Sequence, residues 1–172
     1  MFVADEVRIE ISATAAATRL ASLILGSSLA HVSQQAWRDG IARVGPAPGL
    51  SKLVRVQFRE PVRRGAVTMV PLRWEATGTA GRIFPVLEAD IILAPDGEES
   101  VLLGLEGVYR PPGGAAGAGL DRLLLHRIAV ATVRSFLTRL ANAITGQATT
   151  ADRGELTVGP DAAAYRLAPE SS

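Results

Sequence analysis

Five stretches of this chain alternate apolar and polar side chains with a period of two, and one long helical repeat follows them. In the first, Val7, Ile9 and Ile11 oppose Glu6, Arg8 and Glu10. In the second, Val54, Val56 and Phe58 oppose Arg55, Gln57 and Arg59. Val70, Leu72 and Trp74 then oppose Met69, Arg73 and Glu75, and Leu87, Ala89 and Ile91 oppose Glu88 and Asp90. In the last, Leu103, Leu105 and Tyr109 oppose Glu106 and Arg110. Successive side chains of a strand point to opposite faces, so each stretch is a strand with one dry and one wet side. Parallel sheets are normally covered on both sides, so this pattern predicts antiparallel pairing. The links agree: Pro61–Gly65, Gly78–Gly81 and Pro95-Asp96-Gly97 are turn-type connections that suit hairpins.

The dry face needs a cover. Residues 13–25 read as an alanine-rich helix with Ser12 or Thr14 at its N-cap. Residues 30–44 leave two readings open: a helix carrying Trp37, or a segment that ends as a strand and turns through residues 45–49. After the breaker cluster PPGGAAGAG (111–119), Leu120, Leu124 and Ile128 begin an apolar stripe. It drifts into Val133, Phe136, Leu140 and Ile144, while Arg122, His126 and Arg139 fall elsewhere. This is read as the only long amphipathic element available to cover the sheet. The expected fold is α+β: a curved antiparallel sheet of about six to seven strands around a long C-terminal helix, with short helices after the first strand.

Composition narrows the function classes. With 172 residues, 48% of them hydrophobic and 20% charged, the chain is globular rather than disordered. Residues 1–146 are expected to form one domain. Residues 147–172 lose periodicity and read as a loosely packed or disordered tail, in which ELTVG could add a short edge strand. A net charge of +1 gives no electrostatic basis for binding nucleic acid. The absence of cysteine removes disulfides, thiolate metal ligands and thiol nucleophiles. Lys52 is the only lysine among eighteen basic residues, a bias expected of a GC-rich bacterial coding sequence. The start MFVADEVRIEIS is acidic and alternating, unlike a signal peptide, and Arg19 interrupts the apolar stretch behind it. Charges also punctuate residues 120–144, so no stable membrane insertion is expected, and the expected compartment is the cytoplasm.

The order of strand, helices, strand run and long final helix has recognisable sequence carriers. They are LRWEATG (72–78), FPVLEADIIL (84–93), LEGVYRPPGG (105–114) and LDRLLLHRIAVATVRSFLTRLANAI (120–144). Over residues 3–146 the chain resembles the helix-grip domains of the START-related polyketide cyclase/dehydrase and lipid-transport superfamily (SRPBCC). The resemblance implies a cavity between sheet and helix that takes lipids, polyketides or other hydrophobic molecules. The motifs are structural, and no functional residue transfers with them one by one.

Individual candidates are weighed on that frame. GGAAGAG (113–119) lacks the GxGxxG spacing and the phosphate-binding lysine, so it reads as a turn. His31 and His126 are the only histidines and show no zinc-binding spacing; no metal and no cofactor is expected. Arg73, Glu75, Glu88, Asp90, Glu106 and Arg110 read as cross-strand pairs on the wet face rather than an acid–base pair. Val56, Phe58, Leu72, Trp74, Leu105, Tyr109, His126 and Phe136 are expected to line the space under the long helix, with Tyr109 and His126 as polar anchors. The expected function is binding of a hydrophobic or amphipathic small molecule. Alternatives are a cyclase/dehydrase-like enzyme working by proton transfer, although no catalytic constellation is visible, and a non-catalytic partner-binding protein. Homodimer formation stays open.

Overall fold

The computed structural model describes residues 1–26, 28–44, 54–76, 86–110 and 122–146. Strand β1 (Phe2–Ile9) leads into helices α1 (Ala13–Leu25) and α2 (Ser28–Val44). Strands β2 (Val54–Phe58), β3 (Val62–Arg64), β4 (Val67–Ala76), β5 (Val86–Pro95) and β6 (Val101–Arg110) follow, and then helix α3 (Arg122–Thr145). The six strands form one antiparallel sheet in the order β1-β6-β5-β4-β2, with β3 also paired to β4. The expected α+β helix-grip architecture is the one observed. The links 45–49 and 78–81, the glycine-rich stretch 113–119 and the tail 147–172 lie outside the described residues.

The period-two reading assigns the faces correctly. Val70, Leu72, Trp74, Ala89, Ile91, Leu103, Leu105 and Tyr109 are buried on the inner face. On the outer face, Arg73 pairs with Glu75 at 3.2 Å and with Glu88 at 3.1 Å, and Arg110 reaches Glu88 at 3.3 Å. The stretch Pro61–Gly65 is more than a turn: Val62–Arg64 is a short strand on β4, and Gly65 takes the bend with φ +61°. Gly97, with φ +96°, turns β5 into β6.

Gly107 has a second kind of role. It sits opposite Ala89 on β5 and Val3 on β1. A Cβ there would collide with the Ala89 side chain and approach the Glu88 carbonyl oxygen to 2.6 Å. The two strands are pinched together at this point, which only glycine permits.

Residues 30–44 resolve as helix, so Trp37 lies on α2. Ser12 is the N-cap of α1: its carbonyl accepts the Ala16 N–H at 2.9 Å, but its side chain makes no capping bond. The expectation that α3 alone covers the sheet is corrected. Helix α3 packs on β1 and β6 and most extensively on α2, while α1 packs toward β5. The reason lies at Gly40. A Cβ there would run into the Thr132 hydroxyl and come within 3.0 Å of Thr132 Cα, so α2 and α3 cross in close contact. Beside this crossing, Asp39 accepts hydrogen bonds from Ser135 Oγ at 2.6 Å and from Arg139 Nε at 2.9 Å, and Gln35 accepts from Arg139 Nη1 at 2.9 Å. Helix α3 then stops at Gly146, whose φ of +78° suits the residue after a helix end.

Candidate ligand-binding site

Strand register converts the inner face into a set of transverse rows. Val56 lies opposite Trp74, Trp74 opposite Leu87, and Leu87 opposite Tyr109. The next row runs Phe58, Leu72, Ala89, Gly107 and Val3. A third runs Val70, Ile91, Leu105 and Asp5. Seven of the eight residues singled out from the sequence therefore occupy or cover these rows. Leu72, Trp74, Leu105, Tyr109 and Phe136 are buried, while Val56 and Phe58 are half-buried against the core.

Two aromatic contacts bracket the first row. Trp74 meets Phe136 of α3 edge-on, with ring centroids 5.5 Å apart. Two strands away, Tyr109 stacks on His126 of α3 at 6.2 Å. The eighth residue, His126, is thus brought to the inner face although the helical stripe placed it elsewhere. Between these brackets lies Leu87, half-buried although it sits in mid-sheet between buried Trp74 and Tyr109. On α3, Ala129, Val130 and Val133 lie between the brackets; the first two are half-buried and Val133 is fully buried.

The polar groups here are incompletely satisfied. The indole N–H of Trp74 and Nδ1 of His126 are buried and have no hydrogen-bond partner, as are the Trp37 indole N–H and Thr132 Oγ1 near the α2–α3 crossing. Buried polar atoms without partners are few in folded proteins and each costs about 1–3 kcal/mol, so such atoms mark places where another molecule can donate or accept. Tyr109 differs. Its hydroxyl donates to the Met1 sulfur at 2.9 Å, and its backbone exchanges hydrogen bonds with Met1 on both sides. Burial pushes the Tyr109 phenol above its ordinary value of 10.0, so it stays neutral.

Sequence reasoning passed over three features. Asp5 stands on the inner face of β1 opposite Leu105, where an apolar residue is expected, and it pairs with Arg134 of α3 at 3.2 Å. Its signal was an acid at an apolar position of the alternation. Asp39 is the second. Burial alone would push its carboxyl up, but the Ser135 hydrogen bond, the hydrogen bond and charge of Arg139, and the charge of Arg43 outweigh burial and hold it below 3.8. The third is a groove of about 340 Å³ on the open side of α3, lined by Arg43, His126, Arg127, Val130, Ala131 and Arg134. Among the described residues, no three His, Asp or Glu side chains come together as a metal-binding group, and no single helix is long and apolar enough to cross a membrane.

Rows of apolar side chains on a curved antiparallel sheet, spanned by a long terminal helix, define a helix-grip fold. A conserved protein from Geobacillus kaustophilus shares this fold with a TM-score of 0.56 at 15% identity, over 85% of this chain and 96% of that one. A protein from Thermus thermophilus aligns at 0.47 with 15% identity, over 87% of this chain and 100% of its own. An aromatase/cyclase from Streptomyces aligns at 0.43 with 14% identity, over 88% and 97%. No family model and no curated protein matches the chain.

Proposed function

We propose that this chain belongs to the START-related helix-grip superfamily and binds a hydrophobic or amphipathic small molecule between its sheet and the first half of α3. The observation that carries the reading is the row Val56–Trp74–Leu87–Tyr109. Its middle residue is incompletely buried, and on α3 between His126 and Phe136 the side chains of Ala129 and Val130 are incompletely buried as well, although Val133 is sealed. An apolar molecule laid there would complete the burial of Leu87, and a polar atom on it could accept from the orphaned Trp74 N–H. Val56, Phe58, Leu72, Trp74, Leu105, Tyr109, His126 and Phe136 form its surroundings. Residues 1–146 constitute the binding domain, and the arginine-rich, lysine-poor composition supports a bacterial source.

Native mass spectrometry of the purified protein, followed by solvent extraction of bound lipids, tests the reading directly. A stoichiometric apolar adduct that is lost in Ala129→Phe is the expected result. An unliganded protein that also fails to take up dodecanol would dispose of it.

One observation favours a second, catalytic reading: His126 Nδ1 is buried against Tyr109 with no partner, where a ring nitrogen could exchange a proton with bound substrate. No carboxylate among the described residues hydrogen-bonds this ring, so the binding reading stands first. Turnover of a polyketide-like substrate that collapses in His126→Gln, with binding retained, would reverse that order.

A further inference from the structure

The groove on the open side of α3 shares a wall with the proposed ligand space, and that wall is His126. One face of the ring stacks on buried Tyr109, with Nδ1 enclosed, and the residue also lines the groove. The groove combines two chemistries. Val130 and Ala131 give it apolar lining, while Arg43, Arg127 and Arg134 give it three guanidinium groups, and among the described residues no carboxylate lines it. Of the three, Arg134 is paired with Asp5 at 3.2 Å, and Arg43 is drawn electrostatically toward Asp39. Arg127 is exposed and forms no ion pair with any described residue. Like charges gathered around a concavity destabilise one another, and an anion bound there relieves that repulsion.

We infer that the groove holds the anionic head of an amphipathic ligand whose apolar body lies behind His126 against the Leu87 row. This rests on the ligand-binding reading above and adds to it a class: an acid-headed amphiphile rather than a neutral lipid. Arg127 and Arg43 supply the charge, the guanidinium fork suits a carboxylate, and His126 separates head from tail.

The test compares two probes of equal chain length, laurate and dodecanol, below their aggregation limits, titrated against the full chain by tryptophan fluorescence. Arg43 and Arg127 are exposed, so Arg43→Gln/Arg127→Gln should fold normally, and Arg55→Gln on the outer face of β2 controls for net charge. Laurate should bind more tightly than dodecanol, and the double variant should weaken laurate about five- to ten-fold while leaving dodecanol unchanged. The preference should also shrink in high salt.

Equal affinity for both probes, or a laurate preference that survives the double variant or falls equally in Arg55→Gln, overturns the inference and leaves the ligand space intact. Failure of both probes to bind overturns the two readings together. Sedimentation with phosphatidylglycerol vesicles but no uptake of monomeric laurate also overturns the inference, because the arginines would then be meeting a membrane surface.

Discussion

The two halves of α3 are built from the same kinds of residue but packed to different degrees. In the second half, Phe136, Leu137, Leu140 and Ile144 are all buried to 2% exposure or less. Its polar side chains Ser135 and Arg139 are tied to Asp39 of α2. In the first half Ile128, Thr132 and Val133 are buried, but Ala129, Val130 and His126 are half-buried and Leu123 is 71% exposed. Interiors fill to near-crystalline density unless something else occupies the space. The contrast therefore separates a well-sealed half from one that is less completely packed, and the two should answer differently to substitution.

The largest effect belongs to the sealed half. Phe136→Ala removes a fully buried ring that meets Trp74, and should cost about 3–5 kcal/mol in denaturant unfolding. A loss below about 1 kcal/mol would mean that the second half is not sealed either. Next comes the helix crossing. Gly40→Ala forces a methyl against Thr132 and should cost about 1–3 kcal/mol, although alanine favours helix over glycine. Stabilisation instead would show that α2 and α3 can part freely.

Asp39→Ala leaves Arg139 without its carboxylate and should cost about 1–2 kcal/mol, a modest figure because the pair is partly solvated. The same group sets a pH dependence. Its folded value is depressed, so its contribution is complete above the unfolded value near 4 and drains away as pH falls through the lower folded one. Unfolding midpoints of wild type and Asp39→Asn should therefore converge in acid and separate above about pH 4. The smallest stability effect is expected from Ala129→Leu, within about 1 kcal/mol, because the added side chain enters space that is not fully packed. That variant should nevertheless lose the apolar adduct. A cost above about 2 kcal/mol would show that the open half is already filled.

Much of this comparison was legible before any coordinates, for a physical reason. Period-two alternation is local, so Val70, Leu72 and Trp74 or Leu103, Leu105 and Tyr109 declare their face from their own neighbours. The stripe Phe136, Leu140 and Ile144 declares the sealed half of α3 in the same way. What stayed hidden depends on residues far apart in sequence. The Asp39–Arg139 contact joins positions separated by 100 residues. Its faint traces were Gln35 with Asp39, and Ser135 with Arg139, each spaced one helical turn apart, together with a glycine inside α2. His126 was assigned off the stripe because a single helix has room for two contact faces, and α3 uses one against α2 and another against the sheet.

The pairing of β1 with β6 sets the tempo of assembly. Phe2 finds its partner at Val108, so about a hundred residues must be ordered before the first strand can dock. Until then Val3, Val7 and Ile9 have no sheet to join, while the pairs β3–β4, β4–β5 and β5–β6 join strands that are neighbours in sequence. Closure of the sheet by its earliest strand is thus expected to be the late, slow event. A phase in refolding that is sensitive to Val3→Ala, and blind to changes in the β4–β5 hairpin, would be its kinetic mark.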